Sequence, residues 1–165
     1  MRRRVTVLIA VTLLALAAVA VASTKTIADK KGDSRKGYPD IKSATVKTTA
    51  NRVTATIVSY NAFAKNASPC ITLTTNTQPQ NGDGYVICGD AKLQNFNAGG
   101  AVGTVRLQHP DAKTAVYLIG RKQIGNPRSF TWLAQVRGYH DSCIQKYHDV
   151  CDIAPNSAKR VKQSF

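Results

Sequence analysis

From residue 40 onward the chain runs in short stretches of Val, Ile, Thr and Tyr, broken by Gly, Asn or Pro at intervals of about ten residues. β-branched and aromatic side chains suit a pleated, half-buried surface, and frequent breakers leave no room for a long amphipathic helix. The pattern predicts an all-β fold, a mainly antiparallel two-sheet sandwich of about seven or eight strands with disulfides. Strands are expected over 41–48, 52–60, 70–75, 85–88, 103–109, 114–120 and 129–137, with a weaker eighth over 159–165. Alternation is cleanest in the seventh: Phe130, Trp132, Ala134 and Val136 share one face, and Thr131, Gln135 and Arg137 lie opposite. Val53, Ala55 and Ile57 repeat the logic in the second. Reversals are expected at Asn51, at Asn81-Gly82-Asp83-Gly84 and at His109-Pro110-Asp111-Ala112, with a single helical turn over 121–126.

The N-terminus follows another rule. Met1 and three arginines precede an apolar run from Val5 to Ala22, which ends in the small-residue triplet Ala20-Val21-Ala22. A basic n-region, an apolar h-region and such a triplet read as a secretory signal over 1–22, cleaved before Ser23. The alternative is an uncleaved membrane anchor, because 18 apolar residues reach the lower limit for a bilayer span. The expected destination is extracellular, with no membrane span after cleavage. Residues 23–39 are polar and basic without apolar periodicity, and are expected to form a loose leader ahead of a single domain over 40–165.

Charge sets the class of partner. The chain carries 23 Lys+Arg against 9 acids, a formal +14, and every acid is Asp. With three arginines in the signal, the mature chain keeps 20 − 9 = +11. A cationic exported domain is drawn to anionic surfaces. Without Glu, the commonest acid of glycosidase chemistry is missing, and only Asp pairs could serve in its place.

Four cysteines allow three pairings. Local loops favour Cys70 with Cys88 and Cys143 with Cys151, and export favours oxidation over thiolate metal ligation. Each bridge would stabilise by roughly 2.5–3 kcal/mol in the chain-entropy account. A hairpin centred on Gly82-Asp83 would set Cys88 opposite residue 77, so the first bridge requires a longer loop or strands that are not hairpin partners. The second bridge would close a C-terminal loop holding a local repeat: Tyr139-His140-Asp141-Ser142-Cys143 returns as Tyr147-His148-Asp149-Val150-Cys151. Tyr139 and Tyr147 could stack on sugar rings or bases, with His140, Lys146 and His148 as polar contacts. The same histidines could serve as the acid and base of a ribonuclease-like hydrolase, with Lys146 or Arg137 as a phosphate clamp.

Three of the acids precede the first strand of this scheme: Asp29 and Asp33 around Gly32, then Asp40 beside Ile41. Oxygen ligands from a loop and a strand start suit calcium, although Lys30, Lys31, Arg35 and Lys36 flank them. The D-x-x-G-D…D-I opening with its following strands resembles secreted bacterial β-sandwich proteins that are similar to family-nine carbohydrate-binding and DOMON-type modules. The stretch Gly125 to Trp132 is similar to a late strand in such proteins. The resemblance implies calcium at Asp29, Asp33 and Asp40, and it covers about a third of the chain. Trp132, the only tryptophan, lies on a stripe that reads as core rather than as a sugar platform.

The expected function is therefore a secreted, non-catalytic binding or cell-envelope-associated module for an anionic or carbohydrate polymer. The alternatives are the small hydrolase built on His140 and His148, or a structural secreted domain without ligand. Calcium is the one cofactor these residues suggest, and no specific nucleic acid partner is expected. Nothing in these patterns sets an oligomeric state.

Overall fold

A computed structural model describes residues 22–65, 67–75, 83–138, 150–156 and 159–165. The described residues form twelve strands: β1 (Ser23–Ala28), β2 (Ile41–Thr49), β3 (Arg52–Ser59), β4 (Ala67–Thr75), β5 (Asp83–Ile87), β6 (Lys92–Asn95), β7 (Gly100–Thr104), β8 (Arg106–Asp111), β9 (Thr114–Gly120), β10 (Ser129–Gly138), β11 (Val150–Ala154) and β12 (Val161–Ser164). A short 3₁₀ turn, Arg121–Ile124, follows β9. Five strands form one antiparallel sheet in the order β1-β2-β3-β9-β8. The other seven form a second sheet, β11-β10-β4-β5-β6-β7, with β12 also paired to β10. Among the described residues no helix is long and apolar enough to cross a membrane.

Both predicted apolar stripes face inward. Val53, Ala55 and Ile57 of β3 pack across the sandwich from Phe130, Trp132, Ala134 and Val136 of β10, all at most 2 % exposed. A hydrogen bond from Tyr117 Oη on β9 to the Pro69 carbonyl on β4, 2.6 Å, joins the two sheets through the core. The Trp132 indole N–H is buried without a partner, so its contribution is packing. The opposite side of β10 is less open than its polar residues suggest, because Leu133 and Gln135 are also buried. Gln135 Oε1 accepts bonds from Thr72 Oγ1 and Arg137 Nε, both at 3.3 Å.

Several expectations are corrected. The start of the expected leader is β1, an edge strand paired with β2 from Ser23↔Thr48 to Ala28↔Ser43. An edge strand draws its stability from backbone hydrogen bonds to its neighbour, so it needs no apolar alternation; of its residues only Ile27 packs on the core. The region over 103–109 is not one strand but two. The chain leaves the larger sheet after Thr104 and enters the smaller one at Arg106, with Val105 as the crossing. β6 and β11 fall outside the expected strands, being short, and β7, rich in Gly, overlaps one only at Gly103 and Thr104.

The reversal after β4 also differs. Cys70–Cys88 is a disulfide, and the β4–β5 register runs from Ile71↔Ile87 to Thr75↔Asp83, so β5 begins at Asp83. Gly84 therefore lies in β5 rather than in a tight turn. A Cβ there would come within 2.8 Å of Phe96 Cδ2, so the glycine makes room for the aromatic ring. Cys143 and the sequence over 139–149 lie outside the described residues, whereas Cys151 is buried on β11 and no described cysteine is free.

Candidate metal centre

β1 ends at Ala28, and the Asp29 N–H still bonds to the Lys42 carbonyl at 3.0 Å, so the first acid is placed by the β1–β2 ladder. The chain then turns through Gly32, whose φ of +85° suits glycine. The Gly32 N–H donates to Asp40 Oδ2 at 2.6 Å, folding the turn back onto the residue just before β2. Ser34 Oγ donates to the Tyr38 carbonyl at 3.1 Å, and the Arg35 N–H bonds to the Cys151 carbonyl at 3.0 Å. The latter contact fastens this loop to β11, a strand of the opposite sheet.

β11 brings in an acid distant in sequence. Asp152 is 6 % exposed and accepts the Ile41 N–H on Oδ2 at 2.6 Å and the Ile153 N–H on Oδ1 at 2.8 Å. One carboxylate thereby joins the start of β2 to β11 across the sandwich edge. Asp29, Asp33 and Asp152 each present an oxygen within 4.8 Å of the others. Asp40 stands beside them, 6 % exposed, with Oδ1 buried and unpartnered; Asp29 Oδ2 is likewise buried without a partner. Asn156 Nδ2 donates to Asp33 Oδ2.

The electrostatics follow from this crowding. Burial pushes the Asp29 carboxyl up to about 7, and the neighbouring charges of Asp152, Asp33 and Asp40 add to the rise against the Lys30 N–H. Burial likewise raises Asp152 to about 6, opposed by its two backbone donors and reinforced by Asp33 and Asp40. The flanking cations do not relieve the cluster. Lys31 Nζ lies over the Tyr60 ring at 5.6 Å, and Lys30, Arg35 and Lys36 are exposed.

Such a donor set fits a hard dication. Calcium binds oxygen ligands at about 2.3–2.6 Å, so ligands on opposite sides of the ion stand about 5 Å apart. Three carboxylate oxygens within 4.8 Å of one another fit that sphere, and all-oxygen coordination does not favour zinc. Calcium bound here would be held by Asp29, Asp33 and Asp152, with Asp40 Oδ1 adjoining.

The structure thus brings two of the three predicted acids, Asp29 and Asp33, to one point, and it seats Asp152 where Asp40 was expected. Asp40 is instead tied to the Gly32 N–H and borders the cluster. A carboxylate set in the otherwise apolar run Val-Cys-Asp-Ile-Ala was the signal for Asp152, but its partners lie more than a hundred residues upstream. Tyr139, His140, Lys146, Tyr147 and His148 lie outside the described residues. No protein-family model, curated protein or solved structure matches the chain.

Proposed function

We propose that this chain is an exported, non-catalytic β-sandwich module, braced by calcium and acting at the cell envelope on an anionic or carbohydrate polymer. One observation carries the calcium part: buried, unpartnered carboxylate oxygens on Asp29 and Asp40 beside Asp33 and Asp152. Leaving charged oxygens buried without a donor or cation costs several kcal/mol, and a divalent ion at this point removes that penalty. The ion would staple the loop after β1 to β11, holding the two sheets together at one end. Export is supported by the basic and apolar start of the chain and by a first strand that begins at Ser23. Polymer binding is supported by the +11 charge of the chain from Ser23 (20 − 9) and by the resemblance carried by Asp29, Asp33 and Asp40.

The test is thermal unfolding of the protein beginning at Ser23, in chelator and in calcium. Exported calcium modules bind with dissociation constants of about 0.1–1 mM. At a hundredfold excess over the dissociation constant, the expected stabilisation is about 2.7 kcal/mol. The midpoint should rise on the order of 5–10 °C. An unchanged midpoint at 10-fold and 100-fold excess would reject the calcium site, and a chain retained in the cytoplasm of the producing cell would reject export.

A further inference from the structure

We propose that the solvent face of the five-stranded sheet is the binding surface, and that its ligand is an extended acidic polyol chain, with sugar or polyol units bearing phosphate or carboxylate. The inference rests on the binding-module reading above and assigns it a place.

Register defines the face. Val46, Ala55 and Tyr117 are buried, so their strand neighbours point outward. One outward row runs across all five strands as Thr24, Lys47, Thr54, Leu118 and Arg106. The next runs as Thr26, Thr45, Thr56, Val116 and Gln108. Thr26 and Thr45 are linked through their hydroxyls at 2.9 Å. Arg52 stands two residues before Thr54 on β3, at the border of the first row.

This surface has three chemical properties. Thr54, Thr56, Val116 and Leu118 are half-buried, so the centre is a firm floor of methyl and hydroxyl groups. Hydroxyls recur at about 4.8 Å across the strands and about 6.8 Å along them, each able to donate and accept. Lys47, Arg52 and Arg106 are exposed around that floor, and neither row contains an acid. Lys47 and Arg106 stand three strand spacings apart, about 14 Å, which sets the reach of an extended chain rather than a single small ion. The acid at the border, Asp111, is turned onto its own hairpin, accepting the Lys113 N–H at 2.7 Å and Thr114 Oγ1 at 3.0 Å.

Charge complementarity selects an anionic occupant, and the hydroxyl floor selects one that carries hydroxyls. Single-stranded nucleic acid is disfavoured because neither row carries an aromatic ring on which bases could stack.

The experiment compares two triple variants that lose equal charge. K47Q/R52Q/R106Q strips the face, and K36Q/K65Q/K162Q removes exposed lysines elsewhere. Both are checked for an unchanged thermal midpoint, and binding is titrated in calcium at low and physiological salt. The probes are polyglycerol phosphate, hyaluronate and single-stranded poly(U). The face triple is expected to lose at least tenfold in affinity for polyglycerol phosphate or hyaluronate, and the control triple less than threefold. The salt slope of the face triple should fall by about two to three, in keeping with three lost ion contacts. Preference between the two acidic polymers tells phosphate from carboxylate. Equal losses in both triples would overturn the assignment, as would tighter binding of poly(U) that depends on the same three residues. If the wild-type chain binds none of the probes, the binding-module reading itself fails; if it binds and the face triple binds equally well, only the surface assignment fails.

Discussion

At the Ser23 end of β1 the two sheets are joined by neutral groups, and at the Ala28 end by carboxylates. Near Ser23, Thr48 Oγ1 donates to the Ser164 carbonyl at 2.7 Å, and Gln163 Nε2 donates to the Ser23 carbonyl at 3.1 Å. Gln163 is 1 % exposed and leaves only its Oε1 without a partner. Near Ala28, Asp152 performs the same bridging with a charge, and Asp29, Asp33 and Asp40 crowd against it. A neutral amide can leave one lone pair unsatisfied at modest expense, whereas crowded, partly buried carboxylates must take up protons or a cation. The two ends share a task, fastening the terminal strands across the sandwich, but only the second offers the oxygen cluster on which the proposed calcium site rests.

The deepest break of both ends together comes from the core between them. Trp132→Ala should destabilise by about 3–5 kcal/mol in a denaturant titration, with or without calcium. A loss below about 1 kcal/mol would mean that the indole does not anchor the core.

The ends separate in the next pair of measurements. Asp152→Ala removes a carboxylate that accepts two backbone donors, one of them the buried Ile41 N–H, and it should lose about 2–3 kcal/mol in calcium. It should also abolish the rise in midpoint on adding calcium, and a rise as large as that of the wild type would remove Asp152 from the site.

pH offers a sharper contrast. Asp29 and Asp152 titrate at about 7 and about 6 in the folded chain, against 3.8 when unperturbed. The folded state therefore binds these protons more tightly than the unfolded one. Their contribution to metal-free stability is largest below pH 4 and falls as pH rises to 7. Thermal midpoints between pH 4 and 8 in chelator should trace that fall, and saturating calcium should flatten it. A metal-free midpoint that rises steadily over that range would contradict the burial and crowding of these carboxyls.

The smallest effect is expected at the neutral end. Gln163→Leu should shift stability by about 1 kcal/mol or less, because the lost hydrogen bonds are offset by removal of an unsatisfied oxygen. The shift should be the same in calcium and in chelator, and a calcium-dependent one would mean that the two ends are coupled.

Legibility in the sequence followed the range of the interactions involved. The β3 and β10 stripes were readable because alternation is a local record of burial, and Asp29, Asp33 and Asp40 were readable because a short turn gathers them. β1 was not readable, since an edge strand is held by a neighbour's backbone rather than by its own side-chain pattern. Gly84 misled because a glycine that makes room for Phe96 looks the same in sequence as one that turns the chain. Asp152 was missed because its meaning depends on a contact with Ile41, 111 residues away.

Composition and periodicity alone determined an all-β sandwich with inward stripes, a cationic balance and a local group of acids, all properties carried by neighbours along the chain. Only the tertiary structure decided the pairing of β1 with β2, the change of sheet at Val105, the Cys70–Cys88 register and the joining of Asp152 to the acids after β1. Each of these depends on which distant strands become neighbours, and strand pairing is settled by the packing of two whole sheets.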